Sequence, residues 1–236
     1  MSRILDVTTS LLASVARGGA GLTARSGGKQ PEQLLSLYEF EACPYCRFAR
    51  EALTELDLDA MIYPCPKGGT RFRPIVVDRG GKAMFPFLVD PNTGTELYES
   101  AEIARYLGRE YGTEESQRAL ERSILSMPSS MAASAFRPTR GLHVVPARSP
   151  KHPLELWSFE ASPYCRLVRE ALCSLEIPYV LHNVGKKSRH RAAFISLSGK
   201  MQVPYLVDPN TGTKMFESAD IVAYLNKTYG ATRVEP

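Results

Sequence analysis

A chain of 236 residues with 44% hydrophobic and 23% charged side chains has an ordinary soluble composition and room for two domains of roughly 100 residues each. It holds no apolar run of about 18 residues, so no segment is expected to span a membrane. Its 29 basic and 25 acidic residues leave a formal charge of +4, without the concentrated basic stripe of nucleic-acid-binding proteins, so nucleic acid is not expected as a partner.

Residues 1–30 are poor in acid and carry Arg3, Ser10, Ser14, Arg17, Arg25 and Ser26, the composition of an organelle transit peptide, which would place the protein in a plastid stroma. Against that, Ala13-Ser14-Val15-Ala16-Arg17-Gly18-Gly19-Ala20-Gly21 has an internal counterpart in Ala133-Ser134-Ala135-Phe136-Arg137-Pro138-Thr139-Arg140-Gly141. The segment is therefore read as part of the structure, and the location as cytoplasmic. The apolar stretch at 4–16 predicts a helix packing on the unit that follows. A strand is expected at 35–40, then Cys43-Pro44-Tyr45-Cys46, then a helix from the spacing of Phe48, Ala52, Leu53 and Leu56. A second strand at 60–63, a Gly/Lys/Arg-rich segment and a third strand at 87–89 follow. Asp-Pro-Asn-Thr-Gly-Thr at 90–95 is turn chemistry between hairpin strands. Ser100 is placed to cap a helix bearing Ile103, Tyr106 and Leu107.

The same series then runs again. A helix is expected at 124–136, strands at 154–159, 178–182 and 205–207, a turn at 208–213, and a cap at Ser218 before Ile221, Tyr224 and Leu225. Ser162-Pro163-Tyr164-Cys165 echoes the first tetrad 119 positions on, and both tetrads precede Arg-x-x-Arg-Glu-Ala-Leu. At an offset of 118, Phe85-Pro86-Phe87-Leu88-Val89-Asp90 aligns with Val203-Pro204-Tyr205-Leu206-Val207-Asp208, and Glu99-Ser100-Ala101 with Glu217-Ser218-Ala219. A match this long means duplication. The 5 cysteines do not form a secreted disulfide framework, and a CxxC at a strand-to-helix junction points to redox chemistry in a reducing compartment.

The order β-α-β-(α)-β-β-α, with CxxC at the first strand-to-helix turn and a proline opening the third strand, resembles the thioredoxin fold. Cys43-Pro44-Tyr45-Cys46 resembles glutaredoxin, and the Val-Pro-x-Leu-x-Asp and Glu-Ser-Ala-x-Ile-x-x-Tyr-Leu patterns are similar to the glutathione S-transferase N-terminal domain. The fold implied is α/β, with two tandem thioredoxin-like domains, each a four-stranded mixed sheet flanked by helices. The corresponding division is 1–34, a helical and basic segment packing on the first unit; 35–112, the first domain; 113–153, a helical linker and loop; and 154–236, the second domain. No helical domain is expected after either unit, a departure from ordinary transferases.

Cys43 is expected at the first turn of a helix, where N–H groups and the macrodipole favour a thiolate. It is then the nucleophile, and Cys46, on the same helix face, the resolving thiol. Glu41 places negative charge close by and is expected to oppose the thiolate. The bland alternatives are two inert core thiols or a zinc half-site; no second CxxC and no paired histidines complete the latter, so no metal is expected. The resemblance makes Pro86 and Pro204 cis-prolines whose preceding residues, Phe85 and Val203, pair with glutathione in strand fashion. It also assigns glutathione contacts to Tyr45 and Tyr164, and the γ-glutamyl end to Glu99-Ser100 and Glu217-Ser218 at helix N-termini. Ser162 is either a hydroxyl for the glutathione thiolate or the mark of a retired catalytic copy, with Cys165 left as a possible redox thiol. Cys65 and Cys173 are read as packed thiols. Basic residues at 67–82 and 186–200 are either carboxylate contacts or solvated loops.

The function this implies is a glutathione-dependent thiol–disulfide oxidoreductase acting on disulfide or glutathionylated proteins. The alternatives are a glutathione-conjugating enzyme, and a non-catalytic glutathione-binding module in which the units form a pseudo-dimer within one chain. An iron–sulfur cluster held by Cys43 and glutathione is the remaining possibility.

Overall fold

The computed structural model describes residues 3–25, 27–124 and 127–231. Of the positions singled out above, residues 1 and 2, Ser26 and residues 125, 126 and 232–236 lie outside them. A first helix, α1 (Arg3–Ala16), precedes β1 (Leu35–Glu39), α2 (Pro44–Glu55), β2 (Ala60–Pro64), α3 (Arg73–Gly80), β3 (Phe87–Asp90), β4 (Thr95–Leu97) and α4 (Ser100–Tyr111). Then come α5 (Glu114–Ile124) and α6 (Met127–Ala135). The second unit repeats the series as β5 (Leu154–Ser158), α7 (Pro163–Ser174), β6 (Tyr179–Asn183), α8 (Arg191–Ser198), β7 (Tyr205–Asp208), β8 (Thr213–Met215) and α9 (Ser218–Tyr229). The sequence pattern anticipated one helix at 124–136. Instead the segment carries α6 from Met127 after a separate α5, and Pro128 sits in the first turn of α6, where a missing N–H is tolerated.

The strand order is β4-β3-β1-β2-β6-β5-β7-β8 in one sheet of eight. Within each unit the central strand pairs in parallel with its successor, β1 with β2 and β5 with β6, and antiparallel with the third strand. The seam is the antiparallel pair β2–β6, with Ala60 opposite Leu181 and Ile62 opposite Tyr179. The two four-stranded sheets are therefore halves of one. Each protects the edge strand of the other, which alone would offer unpaired backbone groups. One apolar core runs through both halves, including Leu37, Phe48, Leu53 and Ile62 from the first and Leu156, Val168, Leu172 and Leu181 from the second.

The helices preceding each unit are exchanged. α1 packs on α7 and α6 on α2, while α1 and α6 also meet each other. Ser10 of α1 donates to the Pro163 carbonyl and Ser130 of α6 to the Pro44 carbonyl, each at 2.8 Å. The expectation that each helix packs on the unit following it is corrected: these serines reach the opening turn of the other unit's helix.

Between the units lies a buried lattice of charge. Arg50 pairs with Glu39, with Glu41 at 3.1 Å and with Glu160 at 2.9 Å, and Arg169 pairs with Glu41 at 3.1 Å and Glu160 at 2.8 Å. Removing such groups from water is costly unless each charge meets several partners, and here each arginine meets at least two carboxylates. Burial alone would raise the Glu160 carboxyl, but the charges of Arg169 and Arg50 hold it at about 2. Gly21 and Gly141, at φ of 70° and 65°, let the chain approach closely. A Cβ there would stand 2.7 Å from Glu160 Cβ and 2.8 Å from Glu41 Cβ respectively.

The Asp-Pro-Asn-Thr-Gly-Thr tract does more than turn. Asp90 accepts from Tyr106 at 2.6 Å and Tyr111 at 2.5 Å, and Asp208 from Tyr224 at 2.7 Å and Tyr229 at 2.5 Å, tying each hairpin to the unit's last helix. Burial works to raise both carboxyls, yet the tyrosine hydroxyls and the neighbouring asparagine bring them below the ordinary value.

Two stability predictions follow from these contacts. Glu160→Ala leaves Arg50 and Arg169 short of a buried partner and is expected to cost about 3–5 kcal/mol in urea unfolding; an unchanged midpoint would contradict a lattice that holds the units together. Tyr229→Phe is expected to cost about 1.5–3 kcal/mol at pH 7. Because the native Asp208 carboxyl is depressed, that contribution is full above the ordinary carboxylate range and is lost as pH falls through the native value. The gap between Tyr229→Phe and wild type should close in acid, and a gap constant with pH would argue against the charged acceptor.

Candidate functional site

β1 delivers the chain to Cys43, which occupies the cap position of α2 at φ −74° and ψ 123°, with Pro44 opening the helix. Its Sγ accepts the Cys46 N–H at 3.3 Å, and the side chain is buried. The Cys43 thiol is brought down to about 7. Its hydrogen bond with the Cys46 thiol is the largest cause, burial opposes it, and the N–H groups of Cys46 and Tyr45 and the charge of Arg50 add to it. Cys46 is fully buried, and burial, followed by the neighbouring Cys43, holds its thiol well above the ordinary range. The two thiols thus differ, that of Cys43 lowered and that of Cys46 raised. Glu41, expected to oppose the thiolate, instead has its carboxylate committed to Arg50 and Arg169.

The second unit reproduces this backbone with oxygen for sulfur. Ser162 caps α7 at φ −70° and ψ 119°, and its Oγ accepts the Cys165 N–H at 3.3 Å. Burial raises the Cys165 thiol, while the hydroxyls of Ser162 and Ser158 pull it back in part. Tyr45 and Tyr164, next in each tetrad, project into solvent at 45% and 47% exposure. All five cysteines are free thiols. Cys65 is enclosed in an aromatic cluster with Tyr38, Val76 and Phe87, and its thiol is pushed up by burial. Cys173 accepts the Glu41 N–H at 3.4 Å and donates to the Gly141 carbonyl at 3.2 Å, so it is part of the seam. Among the described residues no cluster of His, Cys, Asp and Glu is arranged to hold a metal ion, and no helix is long and apolar enough to cross a membrane.

The Phe85–Pro86 and Val203–Pro204 bonds are both cis. In the second unit Tyr164, Gln202, Val203, Pro204, Glu217 and Ser218 line an opening of about 170 Å³, bringing together five residues singled out from the sequence. In the first unit the Phe85 ring meets Phe40 edge-on at 6.1 Å and lies 4.7 Å from the Arg73 guanidinium. Ser100 and Ser218 do not cap their helices. They are the first helical residues, and the cap positions belong to Glu99 and Glu217 at φ of 66° and 67°, without side-chain cap bonds. That left-handed conformation is uncommon for glutamate, and it recurs at the same place in both units.

Gln202 was not anticipated. It donates to Glu217 Oε1 at 2.6 Å, and the only signal was the alignment of this glutamine with Met84. Several of the basic residues considered as carboxylate contacts are spent on structure. Arg71 donates to the Leu175 and Glu176 carbonyls, each at 3.0 Å, Arg73 to the Pro66 carbonyl at 2.7 Å, Arg189 to Asp57 at 3.4 Å, and Arg191 to the Gly185 carbonyl at 2.8 Å. Lys82 and Lys200 lie over the rings of Tyr98 and Phe216.

A family model described as the glutathione S-transferase N-terminal domain matches the chain twice, over residues 37–115 and 156–233. Among solved structures, a Bombyx mori glutathione transferase is 26% identical over 37% of this chain and 40% of its own, with a TM-score of 0.33. The chain thus spans less than half the length of that protein. A trimeric Leishmania glutathione transferase is 13% identical over 85% of this chain and 71% of its own, with a TM-score of 0.29. No curated protein matches the chain.

The contrast between the tetrads predicts a reactivity pattern. In the native protein, alkylation by iodoacetamide should fall on Cys43, with a rate that rises as pH climbs through about 7 and levels off above it. Labelling that begins at Cys165, or a Cys43 profile with its midpoint near that of a free thiol, would contradict the site as described.

Proposed function

We propose, for a chain that belongs to the glutathione S-transferase N-terminal-domain family, that the first unit is a glutathione-dependent thiol–disulfide oxidoreductase of glutaredoxin type. The observation that carries this reading is the pair of unlike thiols at the start of α2: Cys43 poised as thiolate at the helix cap and Cys46 buried and protonated behind it. Cys43 attacks a substrate disulfide, or the mixed disulfide of glutathione with a protein, and expels one thiolate. Cys46 then attacks the Cys43 sulfur, releases the second thiolate and leaves a Cys43–Cys46 disulfide. Two molecules of glutathione restore the dithiol and leave as glutathione disulfide.

The second unit serves as a structural and glutathione-binding half. Support for binding comes from the opening formed by Tyr164, Val203, Pro204, Glu217 and Ser218, and from the left-handed Glu217 that brings the α9 N-terminus to it. Non-glycine residues held in that conformation cluster at ligand sites, and a helix N-terminus suits a carboxylate such as that of a γ-glutamyl group. Where Cys43 has a sulfur, Ser162 offers only a hydroxyl already engaged by the Cys165 N–H. A site of this kind holds glutathione without exchanging disulfides.

The test is reduction of the mixed disulfide of hydroxyethyl thiol in the presence of glutathione. Wild type should turn over, Cys43→Ser should lose essentially all activity, and Cys46→Ser should keep the reaction of glutathione mixed disulfides that needs only one thiol. Full turnover by Cys43→Ser would remove the assignment. Glutathione binding by calorimetry in a Cys43→Ser, Cys46→Ser chain that shows no turnover would locate binding in the scaffold. Conjugation of glutathione to an electrophile that survives Cys43→Ser would instead favour transferase chemistry.

A further inference from the structure

His182 on β6 sits between two carboxylates. Its Nδ1 lies 2.8 Å from Asp59 Oδ2 and its Nε2 3.0 Å from Glu155 Oε2, while its ring stacks on Trp157 with the centroids 4.3 Å apart. Asp59 stands just before β2, one residue beyond the Ala60–Leu181 pair of the β2–β6 seam, and Glu155 lies on β5. All three side chains are partly exposed, so protons can exchange with solvent. We propose that His182 is a pH-sensitive clasp between the units: as an imidazolium it ties Asp59 of the first unit to Glu155 of the second, and on losing its proton it releases one of them and loosens that end of the seam.

The number of protons on the ring sets this behaviour. An ionised carboxylate has no hydrogen to give, and a neutral imidazole has one N–H. A ring with a carboxylate at each nitrogen therefore makes both bonds only as the cation, and the neutral form must give one up. Burial works to lower the imidazole, but the hydrogen bonds and charges of Asp59 and Glu155 outweigh it and raise it above the ordinary value. The stability the clasp supplies is then full below about pH 6.5, where free histidine titrates, and is lost as pH rises through the native value. Asp59 Oδ1 also accepts the Asn183 N–H at 2.9 Å, a bond without a titrating proton, so deprotonation loosens the joint without parting it.

The elements around the ring bring few other ionisable groups. Just before β2, Asp57 is held by Arg189. β2 and β6 add Tyr63, stacked on Tyr38, and Tyr179, enclosed in the core. α8 reaches Trp157 through Phe194, and its one charged residue, Arg191, donates to the Val184 and Gly185 carbonyls. β7 adds Tyr205, beside Trp157, and Asp208, which is bonded to Tyr224 and Tyr229. The repeat carries no such clasp. The positions that match Glu155, His182 and Asp59 are Ser36, Tyr63 and Pro178, and where Trp157 meets His182 the first unit stacks Tyr38 on Tyr63 at 4.7 Å. One end of a nearly symmetric joint closes without charge and the other around a titrating cation, so the fold itself does not require the charge.

The experiment uses the full chain and reads Trp157, the sole tryptophan, whose emission a stacked imidazolium quenches more than a neutral imidazole does. Titrated from about pH 5 to about pH 10, wild-type emission should rise in a step with its midpoint above about 6.5. The step should be absent from His182→Gln. Asp59→Asn and Glu155→Gln, each removing one carboxylate, should move it down by about one pH unit or more. Urea unfolding should find wild type more stable than His182→Gln at about pH 6, with the gap narrowing by about pH 9. A wild-type midpoint at or below the ordinary histidine value, a step that persists in His182→Gln, or a stability gap that is the same at both pH values would overturn the clasp. A midpoint that neither carboxylate variant moves would overturn it as well, and that comparison stands even where His182→Gln fails to fold.

Discussion

Arg50 and Arg169 are enclosed at the centre of the molecule, and what surrounds them is constrained by the need to satisfy two cations cut off from water. Each is met by Glu41 and by Glu160, one from each unit, so neither unit contains a complete set of partners for its own arginine. The continuous sheet across β2 and β6, the close passage of Gly21 and Gly141, and the exchange of α1 and α6 all bring the units to the separation at which this lattice closes. The tandem arrangement is therefore one folded object, and the division of the sequence into two repeats does not describe two separable bodies.

This has a consequence for the chemistry. The residue two places before Cys43 is Glu41, whose carboxylate is held by Arg169 and whose N–H is held by Cys173, both from the second unit. The loop that positions the Cys43 sulfur is thus fixed partly by the second unit, which has Ser162 at the matching place. A lattice of shared charges loses stability when either contributor is removed.

Much of this was legible in the residues. The period of the apolar positions, the turn tract and the prolines located most of the strands and the helices flanking them, and the repeated Phe-Pro and Val-Pro positions are the two cis bonds. The pattern failed where partners came from far along the chain. Nothing in the sequence of α1 says that its serine faces Pro163 and not the unit that follows it, because an amphipathic helix records that it has a partner and not which one. Glu41 looked like a local opponent of a thiolate for the same reason: of the two arginines that neutralise it, Arg169 lies 128 positions away. Ser100 and Ser218 carried the composition of a helix cap, but the left-handed glutamates before them took the cap position, a backbone feature that composition does not encode.

The central claim is that dithiol exchange resides in Cys43 and Cys46 while the other thiols remain structural. Equilibration of the full chain with a graded series of glutathione and glutathione disulfide, followed by acid quenching, differential alkylation and peptide mass spectrometry, reads this directly. The account predicts one reversible two-electron transition in which Cys43 and Cys46 become a disulfide together, with Cys65, Cys165 and Cys173 still reduced. A transition that leaves the Cys46 thiol free across the whole series, or that places the disulfide on any other pair, would contradict it.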